Sequence, residues 1–131
     1  MVFFMAKYRK KLEADIRCPL EYGLSVFGGK WKSRIICVLS ASKKLRYSEI
    51  RKEMYNITDA VLAATLKDLI ADGIVDRKSY DEIPPRVEYS LTGKGNSVVP
   101  ILQSICRWSD IFYKEDVENE MKQCQKCDYH R

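Results

Sequence analysis

The chain has 131 residues, enough for one domain with a real core, and no apolar run approaches the roughly 18–20 residues that cross a bilayer. Its net charge of +5 comes from residues 1–34, with eight Lys or Arg against three acids, while residues 35–131 balance at fifteen against fifteen. The total is therefore weak support for a nucleic-acid partner, and the placement of individual cations has to decide that question.

The opening MVFFMAKYRKKLEADIR sets apolar residues before charged ones, the reverse of a secretory signal, so a cytoplasmic location is expected. Within it, residues 3–15 read as a helix with Phe4, Tyr8 and Leu12 inward, an arm that packs on a partner subunit. Pro19 suits the first position of a second helix, with Leu20, Leu24 and Phe27 as its apolar stripe and Gly28-Gly29 as its end. A third helix follows at once. Trp31, Ile35, Val38 and Leu39 line one face, and Lys30, Lys32 and Arg34 lie near its start.

Leu45-Arg46-Tyr47 alternates as a brief strand, after which Ser48 is expected to cap a two-turn helix, SEIRKEM, with Ile50 and Met54 inward. Tyr55-Asn56-Ile57 is a tight turn. The chain is organised around the helix that follows. Thr58 has the side-chain oxygen wanted at an N-cap, and Asp59 sits in the first turn, where the helix dipole favours negative charge. Leu62, Leu66, Leu69 and Ile70 recur at helical spacing and face a core. The opposite face carries Asp59, Ala60, Ala63, Ala64, Lys67 and Asp68, slim enough to lie in a DNA major groove. Gly73 supplies a stop that accepts positive φ. Short helix, tight turn and long helix together form a helix-turn-helix.

Residues 74–80 and 86–91 alternate as two strands, and the DEIPP stretch between them belongs in a loop because prolines cannot donate to a ladder. A hairpin directly after a helix-turn-helix is a wing, and Arg77, Lys78 and Arg86 flank its loop, placed for phosphates or a minor groove. Thr92 caps a last helix from Gly93 to Met121, with Val98, Leu102, Ile105, Trp108, Ser109 and Phe112 along one side and Pro100 as a point of kinking. That is more apolar length than one small domain needs, which points to a partner subunit. The fold class read from these elements is mainly α with a small β-hairpin, a winged helix-turn-helix dimerising through its terminal helices. It divides into an arm (1–17), the winged domain (18–112) and a helix end with a polar tail (113–131).

Three stretches, CPLEYGLSVFGGKW (18–31), ITDAVLAATLKDLIADGIVDR (57–77) and PPRVEYSLTGKG (84–95), resemble the HxlR-type winged-helix transcription regulators, relatives of the MarR group. The resemblance implies a homodimeric bacterial DNA-binding regulator whose recognition helix and wing enter adjacent grooves. Expected DNA-binding residues are Lys30, Lys32, Arg46, Ser48, Arg51 and Lys78 on phosphates, Thr58 at the cap, and Asp59, Ala60, Ala63, Ala64 and Lys67 toward bases. Arg86 is expected at the wing. Relatives hold longer polar or basic residues where this chain has Ala64 and Thr65, so Ala63, Ala64 and Thr65 meet thymine methyls at most, and DNA shape and the wing carry a good share of specificity.

Among relatives the cysteine opening the CP-E segment is a redox or electrophile sensor, a role the resemblance carries to Cys18. A helix N-terminus and the adjacent Arg17 are surroundings that favour thiolate; the alternative is a half-buried inert thiol. The chain has five cysteines, an odd number, which argues against a disulfide framework. Cys37 and Cys106 read as small core residues. Cys124-x-x-Cys127 with His130 supplies three zinc ligands and lacks a fourth, so a metal site, a redox pair and an ordinary tail all stay open. No cofactor and no metal are expected. No serine or cysteine has a base and an orienter, and Gly93-Lys94-Gly95 is too short to cradle phosphate, so an enzyme is not expected. Rival readings are a winged helix used as a protein-interaction module and a regulator that answers a small molecule bound in an apolar dimer cleft.

Overall fold

The structure, a computed structural model, describes residues 15–113. Its elements run α1 (Pro19–Phe27), α2 (Lys30–Ala41), α3 (Tyr47–Met54), α4 (Asp59–Ala71), β1 (Val75–Tyr80), β2 (Arg86–Leu91) and α5 (Gly93–Asp110). The expected arm at residues 3–15 lies for the most part, and the Cys124, Cys127 and His130 tail wholly, outside the described residues.

One apolar core joins every helix to the hairpin. From α2 come Ile35, Ile36, Val38 and Leu39, from α3 Ile50 and Met54, and from α4 Leu62, Leu66 and Leu69. Ile74, Val75 and Tyr89 close it below the wing, and Val98 and Leu102 seal it from α5. The expected inward faces of α2, α3 and α4 are the buried ones, because helical spacing brings those positions onto one stripe.

Caps set the ends of α4. Thr58 Oγ1 accepts from Val61 N at 3.2 Å. At the other end Gly73 adopts φ 76°, and Ile74 N donates to Leu69 O at 2.9 Å, closing the helix in a Schellman turn. Ahead of it, α3 begins one residue before Ser48. Arg46 is its N-cap, with Arg46 N donating to Glu49 Oε1 at 2.7 Å, so Ser48 stands in the first turn and caps nothing. The reason is tertiary: Leu45 exchanges both backbone bonds with Tyr89, at 3.0 and 2.8 Å, which reduces the expected strand to a single bridge and starts the helix at Tyr47.

The hairpin is antiparallel, with Val75 opposite Leu91 and Tyr80 opposite Arg86. After it, Thr92 Oγ1 accepts from Gly95 N at 3.0 Å and caps α5. The apolar stripes of the first and last helices are only partly covered. Of the α1 stripe, Phe27 packs half-buried against the core while Leu20, 69% exposed, and Leu24 stay open; Val26 alone of α1 is fully buried. Among the described residues α5 runs to Asp110, residues 114–121 of its expected span lying outside them, and only Val98 and Leu102 of its expected stripe are buried. Ile105, Trp108 and Phe112 stand exposed, with Trp108 stacked 5.4 Å from Phe112.

Candidate nucleic-acid interface

The outer face of α4 presents Asp59, Ala60, Ala63, Ala64 and Lys67 to solvent. Thr65 does not join them. It is buried and its Oγ1 donates to Val61 O at 2.7 Å, so its methyl is not available to a thymine. The slim face results from the alanines. Their backbone can approach a groove edge closely, and they bring no hydrogen-bonding group of their own.

The front of the helix-turn-helix is pinned by side chains of α3. Arg51 Nε lies 2.6 Å from Asp59 Oδ1, and the Tyr47 hydroxyl donates to Asp59 O at 3.2 Å. Burial, then the Asp59 charge, pushes the Tyr47 phenol above its ordinary value, so it stays a donor at neutral pH. Arg51 and Asp59, both expected to face DNA, are thus partnered with each other while remaining exposed.

The other expected cations separate into two groups. Arg46, Lys67 and Lys78 are exposed, as is the Ser48 hydroxyl, and as is Lys30, whose ammonium lies 4.5 Å from the centre of the Trp31 ring. Lys32 and Arg86 are engaged inside the protein. Lys32 Nζ donates to Ser25 O at 2.8 Å and ties α2 to the end of α1. Arg86 is held by two carboxylates: Nη2 lies 2.7 Å from Glu82 Oε2, and Nη1 lies 3.0 Å from Glu88 Oε2. Its guanidinium also stacks 3.7 Å over the Tyr80 ring.

Between α4 and the wing lies a cleft of about 260 Å³. Leu66, Ile70, Ala63 and the two rings of Tyr47 and Tyr89 form its apolar walls, and Lys67 and Arg77 stand at its edge. Elsewhere, Cys18 is exposed at the N-cap of α1, and Cys37 is half-buried. Cys106, expected in the core, is exposed because it lies one turn beyond Leu102, the last buried residue of α5.

Residues 26–117 match the family model described as HxlR-like helix-turn-helix. The chain belongs to the HxlR-like family. A helix-turn-helix transcriptional regulator of Halalkalibacterium halodurans is 43% identical over 104 residues, covering 79% of this chain and 92% of the relative. Another, from Methanothermobacter thermautotrophicus, is 45% identical over 95 residues, 72% of each chain. Among solved structures, the redox regulator HypR in its oxidised form aligns with a TM-score of 0.68 at 39% identity, over 75% of this chain and all of that one. The reduced transcriptional regulator YodB of Bacillus subtilis aligns with a TM-score of 0.69 at 34% identity, over 77% of this chain and all of that one.

This HxlR-like chain is therefore a helix-turn-helix transcriptional regulator with a winged-helix fold, and its relatives are regulators rather than enzymes. Among the described residues no helix is long and apolar enough to cross a membrane, and no cluster of His, Cys, Asp and Glu is arranged to hold a metal ion. Two residues take positions that local sequence does not specify. Arg77, expected with Lys78 and Arg86 to meet phosphates or a minor groove, is set apart from both by strand parity, which puts it on the face shared with Tyr89, against α4. Lys94 carried no expectation. Its Nζ donates to both the Tyr22 hydroxyl and Asp72 O at 2.8 Å, linking α1 to the C-terminal end of α4, and no local pattern announces a contact across 72 positions.

Proposed function

We propose that the chain acts in the cytoplasm as a homodimer that binds a pseudo-palindromic operator, with α4 in the major groove and the wing toward the neighbouring minor groove. The observation that carries this reading is the shared edge of α4 and the hairpin. Lys67 from one and Arg77 from the other border a single cleft, so the slim helix face and the wing address the same side of the protomer. Exposed Lys30, Arg46 and Lys78 add candidate phosphate contacts, together with the Ser48 hydroxyl. Asp59, Ala60, Ala63 and Ala64 are the positions offered to bases, with Arg51 held beside them and Thr58 fixing the start of the helix. The exposed side chains of α1 (Leu20, Leu24) and of α5 (Ile105, Trp108, Phe112) supply the surface for a second copy.

Cys18 is the proposed sensor. It is exposed at the start of α1, the structural neighbour HypR is a redox regulator solved in oxidised and reduced forms, and the resemblance assigns the sensing thiol to this position. An oxidant that removes two electrons and two protons from Cys18 and a second thiol joins them as a disulfide and changes how the two reading heads are spaced.

Selection of bound sites from random duplex DNA, with and without reductant, tests the reading. The expected product is a site of two inverted half-sites about one helical turn, or about 34 Å, apart. Binding should weaken steeply with salt, and diamide should change it in the native protein but not in Cys18→Ser. Failure to enrich any site at low salt would overturn the operator-binding reading in favour of a winged helix that acts through protein contacts. Loss of the diamide response alone would remove only Cys18.

A further inference from the structure

We propose that Arg86 is a positioning residue that pins the wing rather than a DNA contact, and that Arg77, with Lys67, holds the DNA backbone in the cleft between α4 and the hairpin. The proposal rests on the DNA-binding reading above and assigns its wing contacts.

The argument starts from register. Residues directly opposite each other in an antiparallel pair project to the same face, and successive residues alternate. The pairs Tyr80–Arg86 and Lys78–Glu88 therefore share one face of the hairpin, and the pairs Val75–Leu91, Arg77–Tyr89 and Ser79–Val87 share the other. Arg86 and Arg77 point away from each other.

On the first face Arg86 is consumed. Its Nε and Nη2 grip both oxygens of Glu82, at 3.2 and 2.7 Å, and Nη1 takes Glu88 Oε2 at 3.0 Å. The guanidinium is sandwiched against Tyr80, and the side chain is only 27% exposed. With its Nε, Nη1 and Nη2 engaged by two carboxylates, Arg86 keeps no free fork for a phosphate, and Lys78 is the cation of this face that remains exposed. The nearby Tyr80 hydroxyl, then the charges of Arg86 and Lys44, hold the Glu88 carboxyl below the usual glutamate range, so the cluster stays ionised at neutral pH. Releasing Arg86 to DNA would take from Glu88, a largely buried carboxylate, the guanidinium paired with its Oε2.

The second face has the opposite chemistry. Arg77 and Lys67 make no hydrogen bond or ion pair among the described residues, and the cleft they border is floored by Leu66, Ile70 and Tyr89. A deoxyribose-phosphate chain offers an apolar sugar to such a floor and an anion to its two cations. It is also the part of a duplex that separates the groove taken by a recognition helix from the groove taken by a wing.

The test compares wild type, Arg77→Gln, Lys67→Gln, Arg86→Gln and Arg86→Lys on the selected operator across a salt titration. Thermal unfolding and amide exchange over residues 78–88 are recorded on the same samples. Each phosphate contact contributes about 0.9 to the slope of log K against log salt, so losing one from both protomers should lower the magnitude by about 1.8. Arg77→Gln and Lys67→Gln are expected to do this. Arg86→Gln should keep the wild-type slope yet bind several-fold more weakly at every salt concentration, with a lower melting point and faster exchange in the hairpin. Arg86→Lys should behave like Arg86→Gln, because an ammonium keeps the charge but cannot grip two carboxylates as a planar fork does.

The proposal is overturned if Arg86→Gln loses the slope and Arg86→Lys retains it, or if Arg77→Gln leaves the slope unchanged. Protection of the cleft by benzoate, with normal slopes in the Lys67 and Arg77 variants, assigns the cleft to a small carboxylate and also overturns it. Absence of salt-dependent binding by wild type removes the DNA reading itself, and this inference with it.

Discussion

Gly95 is the position where a single added carbon tests the packing that sets the wing against the recognition helix. A Cβ built there would lie 2.2 Å from Ile74 O, 3.2 Å from Ile74 C and 3.2 Å from Leu91 Cδ2. Backbone cannot swing aside as the end of a side chain can, so α5 must withdraw by about 1 Å to reach ordinary contact. The withdrawal stretches the Thr92 N to Ile74 O hydrogen bond, now 3.0 Å, and disturbs the Thr92 hydroxyl that caps α5 and donates to Gly73 O at 2.5 Å. Overpacking of this kind costs about 1–3 kcal/mol. A weakened backbone bond adds about 1 kcal/mol and a loosened cap about another 0.5. Gly95→Ala should therefore destabilise the protein by about 3 kcal/mol. Gly93 is the internal control, because a Cβ there meets nothing within 4 Å. Gly93→Ala should fall between neutral and about 1 kcal/mol stabilising, through the lost freedom of the unfolded chain. Urea unfolding followed by tryptophan fluorescence, at one fixed protein concentration, measures both. If the two variants lie within about 1 kcal/mol of each other, the close approach is not what holds α5 against the α4–β1 junction, and the steric argument is wrong.

Three further outcomes can be measured on the same material. Thr58→Ala should cost about 1 kcal/mol in urea unfolding, and Thr58→Ser should recover most of it, because the cap on Val61 N needs only the hydroxyl oxygen. The folded-state value of Glu88 lies below its unfolded one, so its stabilisation is complete above the ordinary glutamate range and is lost as pH falls through the depressed value. Melting temperature recorded from pH 6 to pH 3 should accordingly fall less steeply in Glu88→Gln than in wild type; parallel curves would contradict the assignment. Lys94→Met removes the bonds to Tyr22 and Asp72, which should cost about 0.5–1 kcal/mol, since Lys94 is exposed and solvent screens much of the effect. Amide exchange in α1 should quicken with it, and unchanged protection would show that the link bears no load.

The fold was legible where local chemistry and hydrophobic period agree. Thr58 as a cap, the Leu62–Leu66–Leu69 stripe and Gly73 as a left-handed stop each depend on neighbours within about one turn, so the chain could be read through them without coordinates. The two strands and the proline-bearing loop between them were readable for the same reason. Residues that answer to distant partners were not. Ser48 looks like an N-cap, but the bridge between Leu45 and Tyr89 starts α3 ahead of it. Periodicity marks Leu20 and Trp108 as apolar without saying whether the protomer covers them, and it leaves both exposed.

By itself the sequence determined the winged helix-turn-helix and, Thr65 excepted, which residues of α4 turn outward, because those follow from short-range hydrogen bonding and helical repeat. Only the tertiary structure decided which cations remain available. Charge is a property of a residue, whereas its availability depends on what the fold sets beside it. Thus Arg86 is closed between Glu82 and Glu88 while Arg77, on the reverse of the same hairpin, stands open beside Lys67.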